Sequence, residues 1–178
     1  MTWVKGETSL RTAEPDDADA LLGYLNHPEV AADRQFGQRV PFPLSRSEVT
    51  DRLSEKSDTR RLFVIESDGV VVGHAEIGWW WDALAPGAGL TIDPSQRRRG
   101  HGRRAAAMTL DHLFEQTPAH VVTTEIGYWN LAGIAFAEAI GFSRAGAFRR
   151  AVKRQGQWQD VAAFDLLRRE WEVDRAAR

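Results

Sequence analysis

The stretch LTIDPSQRRRGHGRRA, Leu90 to Ala105, decides how the rest of the chain is read. Leu90 and Ile92 alternate with Thr91 as strand residues do, and Asp93-Pro94 stops the strand. Gly100 and Gly102 stand where a helical pattern begins, with Ala106, Leu110, Leu113 and Phe114 on one face. A strand that ends, glycines that expose backbone N–H groups and a helix N-terminus at the same point make an anion site by construction. Arg97, Arg98, Arg99, Arg103 and Arg104 surround those dipoles with full charges. The stretch is read as a pyrophosphate loop, and the remaining chain as the part that brings an acceptor to it.

The totals narrow what that acceptor chemistry can be. A chain of 178 residues suits one domain with a sizeable core, here 1–178. Its net charge of -2 gives no global basic field of the kind a nucleic-acid binder carries, so no nucleic-acid partner is expected. Zero cysteines exclude disulfides, thiolate metal sites and a cysteine nucleophile. The opening MTWVKGETSL has no apolar core of a signal peptide, and no apolar run approaches a membrane span, so a cytoplasmic protein without a membrane partner is expected. The five histidines form no H-E-x-x-H pair and no G-x-S-x-G occurs, so neither a metal site nor a hydrolase is expected.

Taken in order, residues 9–12 predict a short strand, and Pro15-Asp16-Asp17 opens a helix through about Asn26 that His27-Pro28 ends. Residues 29–44 read as an irregular segment. Ser45 and Glu48 have the spacing of a capping box for a helix to about Ser57. Residues 61–66 and 70–80 predict a hairpin turned at Ser67-Asp68-Gly69. After the opening stretch, a strand is expected over 119–128, a helix over 130–140 stopped by Gly141, and a final strand pair over 142–152 and 157–166. Strands interleaved with helices argue an α/β or α+β domain.

Three phosphate-binding readings compete for Leu90 to Ala105. A P-loop fails because G-x-x-x-x-G-K-[ST] is absent. A dinucleotide fingerprint fits Gly100-x-Gly102-x-x-Ala105, but Pro94 to Arg99 separate it from its strand and several elements precede it. The third reading uses the spacer: Pro94-x-x-Arg97-x-x-Gly100-x-Gly102 between strand and helix resembles the acyl-coenzyme A signature of the GNAT superfamily of N-acyltransferases. A bland arginine-rich turn would not predict glycines at the helix start, nor the run Asn130-Leu-Ala-Gly-Ile-Ala-Phe-Ala-Glu-Ala-Ile-Gly141-Phe142, which resembles the family's second signature. The tail, GFSRAGAFRRAVKRQGQWQDVAAFDLLRREW, is similar to acetyltransferases of the bacterial RimJ/RimL (ribosomal-protein-alanine acetyltransferase) type.

The resemblance implies a single GNAT domain with a mixed, mostly antiparallel sheet of about seven strands flanked by about four helices. It also implies direct acetyl transfer from acetyl-coenzyme A to a primary amine, either a protein N-terminus or a small molecule such as an antibiotic, polyamine or amino acid, and leaves room for a homodimer. The cofactor would lie against Leu90, Thr91 and Ile92 and over Arg97, Arg98, Arg99, Gly100, His101, Gly102 and Arg103, with Asn130 reaching its pantetheine or phosphate region. Glu125, five residues before Asn130, occupies the position of a catalytic glutamate in a related group, and could deprotonate the amine if burial raises its pKa. The plain alternative is a solvent-facing strand carboxylate. Glu76 and His74 on the hairpin strand are reserve candidates, His74 also reading as a packed strand histidine.

The family's usual tyrosine acid falls on Ala137, and the serine common in the RimJ/RimL group on Gly133. Coenzyme A thiolate leaves tolerably near neutral pH, its pKa being about that of a cysteine, so water could serve; Tyr128 is a substitute. On the acceptor side the resemblance points to Trp79, Trp81, Asp82 and Trp129, aromatic walls with a carboxylate that suit a cationic or aromatic amine, and to the loop with Asp33, Arg34 and Phe36. Alternation puts Trp79 and Trp81 opposite Trp80, and packing is the competing explanation for such a run. The two vacant acid positions also keep open a non-catalytic acyl-coenzyme A binding domain.

Overall fold

A computed structural model describes residues 2–34, 43–55, 57–79 and 82–176. The chain forms two compact units, the first from 1–78 and 89–109, the second from 79–88 and 110–178. Among the described residues, hydrogen bonding runs through eight strands in the order β1-β2-β3-β4-β5-β6-β8-β7.

The first unit contains β1 (Thr2–Lys5), β2 (Thr8–Thr12), α1 (Ala18–Leu25), α2 (Pro28–Arg34), α3 (Arg46–Ser54), β3 (Arg60–Ser67), β4 (Val70–Gly78), the end of β5 (Gly87–Ile92) and the start of α4 (His101–Gln116). β1 to β4 form an antiparallel meander. Ala18, Leu21, Tyr24, Leu25, Val30, Val49 and Val64 make its helix-side core, the apolar stripes of α1 to α3 closing on β3. The capping box is present as expected: the Ser45 hydroxyl accepts the Glu48 N–H, and the Glu48 carboxylate accepts the Ser45 N–H at 2.7 Å.

Arg11 on β2 fixes the start of α1. Its guanidinium donates to both Asp17 oxygens at 2.7 and 2.9 Å, and to Glu66 on β3 at 2.8 and 3.1 Å. Burial would raise the Asp17 pKa, but the Arg11 bonds and the Glu14 N–H outweigh it and hold the carboxyl below its ordinary value. β4 and β5 approach closely: a Cβ on Gly73 would stand 2.3 Å from the Thr91 carbonyl oxygen. The Asp93 N–H then donates to the Val72 carbonyl at 2.9 Å, fixing where β5 ends.

The second unit contains the start of β5, the end of α4, β6 (Val121–Gly127), α5 (Leu131–Ala139), β7 (Ser143–Arg154), β8 (Gln157–Leu167) and α6 (Arg168–Ala176). Gly87 pairs in parallel with Thr123 of β6, while β6–β8 and β8–β7 are antiparallel. Leu113, Phe114, Val122, Val161, Ala162 and Phe164 are buried. Arg168 donates to the carbonyls of Phe114, Thr117 and Ala119, satisfying backbone acceptors in and just past the last turn of α4.

The mixed, mostly antiparallel sheet agrees with the expected class, with eight strands and six helices among the described residues instead of seven and four. Three elements account for the excess. β1 is four residues long and reaches β2 through a turn at Gly6, φ 63°. In α2, Pro28 begins the helix where it was read as the end of the previous one, since proline suits the first helical position as well as a stop. No residue of α6 is buried, so its pattern gave no core signal.

Replacing Asp17 with asparagine should cost about 2 kcal/mol near neutral pH, because the Arg11 bonds lose their charged acceptor. The native Asp17 pKa is depressed, so its contribution is present above the ordinary carboxylate range and is lost as pH falls through the lowered value. Denaturant melts of both proteins across that range should converge in acid; a deficit that stays constant would contradict the assignment.

Candidate active site

The loop after β5 is shaped by its own backbone. The Asp93 carboxylate accepts the Ser95 N–H and hydroxyl, both at 2.9 Å, and starts a single 3-10 turn over Pro94–Gln96. The chain then passes through two left-handed residues, Arg98 at φ 67° and Gly100 at φ 85°, before α4 begins at His101. The Arg104 N–H bonds the Gly100 carbonyl at 3.1 Å, and the N–H groups of the first turn precede any i−4 carbonyl. A turn alternating through left-handed residues onto a helix N-terminus presents consecutive N–H groups to an anion.

The arginines there do different things. Arg97 donates to Glu29 of α2 at 2.7 Å and to the Ile92 carbonyl at 3.3 Å, bracing the loop against the end of β5. Arg104 turns inward to Glu7 and Thr8. Arg98, Arg99 and Arg103 are exposed. His101 is buried, its Nδ1 3.1 Å from the Thr8 hydroxyl, while Gly102 is half-buried. Leu90, Thr91 and Ile92 are half-buried.

In the second unit, Glu125, Trp129 and Asn130 lie at the end of β6 and the start of α5. Glu125 pairs across the sheet with Ala163 and is exposed by surface area. Enough protein nevertheless surrounds its carboxyl to raise its pKa above the ordinary glutamate value, desolvation being the cause. Two residues on, the Trp129 indole covers Gly127, where a Cβ would stand 2.3 Å from the ring, and the Arg154 guanidinium lies 5.3 Å from the indole centroid.

Asn130 caps α5: its Oδ1 accepts the Gly133 N–H at 2.8 Å. A Cβ at Gly133 would stand 2.7 Å from the Asn130 Nδ2, so the glycine makes room for this rotamer where the related group carries serine. Ala137 is 3% exposed, so the site of the missing tyrosine is packed interior here. Tyr128 lies under Arg144, whose guanidinium is 5.5 Å from its ring centroid.

The reserve candidates have structural partners. Glu76 is held by Arg52 at 2.9 Å and Arg60 at 3.8 Å. His74 Nδ1 is 2.7 Å from the buried Tyr24 hydroxyl, with the rings stacked. Trp79 is half-buried, and exposed Asp82 accepts the Leu84 N–H at 2.6 Å, which organises its own turn. Trp81 and Phe36 lie outside the described residues, as do the side chains of Asp33 and Arg34. Among the described residues no group of three His, Asp or Glu side chains is placed to hold a metal. The sequence reading did not find Glu29, Arg154 or the inward turn of Arg104, because their partners are remote in the chain.

Comparison with known proteins agrees with this architecture. The family model described as "Acetyltransferase (GNAT) domain" matches residues 8–143. An uncharacterised N-acetyltransferase from the SPbeta prophage of Bacillus subtilis is 25% identical over 178 residues, covering 97% of this chain and 96% of the relative. The phosphinothricin N-acetyltransferase of Streptomyces viridochromogenes is 28% identical over 157 residues, covering 85% of this chain and 83% of the relative. Among solved structures, spermidine N-acetyltransferase from Vibrio cholerae, in complex with coenzyme A and spermine, superposes with a TM-score of 0.83 at 18% identity, covering 94% of this chain and 99% of that one. A ribosomal-protein-S5-alanine acetyltransferase from Vibrio fischeri gives 0.81 at 18% identity, covering 96% and 98%. The chain belongs to the GNAT acetyltransferase family and is an N-acetyltransferase.

Proposed function

We propose that the protein transfers acetyl directly from acetyl-coenzyme A to a primary amine, on a protein N-terminus or a small molecule, in the manner of the RimJ/RimL group. The observation that carries this reading is the loop with left-handed Arg98 and Gly100 at the start of α4. Its backbone N–H groups from Arg98 to Arg103 bind the pyrophosphate, while Arg98, Arg99 and Arg103 raise the local potential. The main chain of Leu90 to Ile92 pairs with the pantetheine amides, and an N–H near Ile92 polarises the thioester carbonyl. In the second unit, the Asn130 carboxamide, fixed as a helix cap, is the group the family resemblance assigns to the cofactor.

Glu125 accepts the proton from the acceptor ammonium, directly or through one water. A carboxyl whose ionised form is destabilised is a stronger base than an ordinary glutamate, and its exposure keeps it within reach of an amine. The neutral amine attacks the thioester carbonyl carbon, its new C–N bond replaces the C–S bond, and the thiolate leaves and is protonated by water. Trp79, Asp82 and Trp129 are assigned to the acceptor side in this reading. The RimJ/RimL assignment draws support from the tail, where the Asp160 carboxylate accepts the Arg150 N–H at 2.7 Å and the Asp160 carbonyl accepts the Tyr128 N–H at 3.2 Å.

Thiol release from acetyl-coenzyme A against N-terminal peptides, polyamines, aminoglycosides and amino acids tests the reading. Turnover on one class identifies the acceptor; coenzyme A binding with no turnover on any would instead favour a binding domain. Glu125→Gln should lower kcat/KM by roughly a hundredfold or more. In the wild type, kcat/KM should rise as pH passes upward through the raised Glu125 pKa. That elevated pKa also means stability falls as pH rises through it. Glu125→Gln should therefore melt higher than wild type near neutral pH and match it in acid; unchanged activity and an unchanged melting curve together would return Glu125 to a plain surface carboxylate. Arg97→Ala and Gly102→Val should each raise the KM for acetyl-coenzyme A about tenfold, and unchanged values would remove the loop from cofactor binding.

A further inference from the structure

The Arg104 guanidinium is already committed within the first unit. Its Nε donates to the Thr8 hydroxyl at 2.7 Å. Its Nη2 donates to Glu7 at 2.6 Å and to the Arg99 carbonyl at 3.0 Å, and stands 3.3 Å from His101 Nδ1. Thr8 is 0% exposed and His101 4% exposed, and the Thr8 hydroxyl is 3.1 Å from His101 Nδ1. These contacts form one connected cluster: Arg104 donates to the Thr8 hydroxyl, which also hydrogen-bonds His101 Nδ1. The side chain is wedged against Gly6 and Gly100, where added Cβ atoms would stand 3.7 Å from its Cδ and 2.9 Å from its Nη1.

The grip on the Arg99 carbonyl matters most. Arg99 lies between Arg98 and Gly100, the two left-handed residues of the loop. A non-glycine residue in that region is sterically disfavoured, and it persists only when its surroundings over-determine it. Arg104 holds the carbonyl between them and ties the first turn of α4 to β2 and the β1–β2 turn, more than ninety residues earlier.

We infer that Arg104 is a positioning residue that holds the pyrophosphate loop in its anion-binding form, and that Glu7 is its working partner. This rests on the acetyl-coenzyme A reading above. A cationic residue in the first turn of this helix invites the opposite assignment, a direct ion pair with the pyrophosphate. The two assignments differ in sign at Glu7. If Arg104 contacts phosphate, Glu7 competes with the ligand for the guanidinium and repels it, and removing its charge tightens binding. If Arg104 is a strut, Glu7 anchors it, and removing that charge loosens the loop and weakens binding.

The test uses the full chain with coenzyme A itself as probe, by titration calorimetry, together with steady-state kinetics on whichever acceptor turns over. Glu7→Gln should raise the coenzyme A Kd and the acetyl-coenzyme A KM three- to tenfold. Arg104→Gln should raise both by tenfold or more, with kcat at saturating cofactor and the acceptor KM within about twofold of wild type. The salt dependence of the cofactor KM should be the same in Arg104→Gln as in wild type, because no ion pair to the ligand has been removed. Glu7 is about half exposed, so its variant tests the inference even if Arg104→Gln fails to fold. Tighter binding by Glu7→Gln, or a flattened salt dependence in Arg104→Gln, would overturn the inference and leave the proposed function standing. A wild-type chain that binds no coenzyme A would overturn both.

Discussion

The conformation of three consecutive residues, Arg98, Arg99 and Gly100, is the constraint on which the proposed donor site depends. Left-handed backbone at φ 67° and φ 85° on either side of one carbonyl is not a shape a chain keeps unaided. Each neighbour supplies part of the restraint. Asp93 closes the turn before it, Arg97 ties it to Glu29 and the end of β5, and α4 sets the direction in which it leaves. Gly73 lets β4 approach β5 closely enough to fix the last strand residues. The fold's first layer of function is thus mechanical: it maintains a loop that an isolated peptide would lose.

The charges around the loop then sort by what they touch. Five arginines within eight positions suggest a cluster aimed at phosphate, yet Arg97 and Arg104 are spent on carboxylates and backbone carbonyls of the chain. Arg98 and Arg99 are exposed to solvent, where screening limits each to a modest contribution. Backbone dipoles fixed in place lose no rotamer freedom on binding, so they fit the main holding role better than flexible cations.

Much of this was legible in the sequence because the signals are local. The glycines, the Pro94 spacer, the Asn130 to Phe142 run and the Ser45–Glu48 box each lie within a dozen or so residues and fold as read. Signals without local contrast failed: β1 has one half-buried side chain, α2 starts on a proline that equally well ends a helix, and α6 has no fully buried residue. The role of Arg104 was hidden for a different reason. Its partners Glu7 and Thr8 become neighbours only through the sheet, and no spacing rule connects them. Glu125 was identifiable by position, whereas its raised pKa depends on how much protein surrounds the carboxyl, which only the fold defines. The vacancy at Gly133, a puzzle in sequence, becomes the space Asn130 occupies.

On the proposed function, backbone geometry, more than arginine charge, holds the coenzyme A pyrophosphate. Calorimetric Kd values for coenzyme A, measured side by side for Gly100→Val and for the Arg98→Ala/Arg99→Ala double variant, address it directly. Valine disfavours φ 85° and reshapes the loop while keeping every cation; the double variant keeps the bonded framework and removes two exposed charges. Weaker binding by Gly100→Val than by the double variant is the expected result. The reverse order, with the double variant the more impaired, would contradict the account.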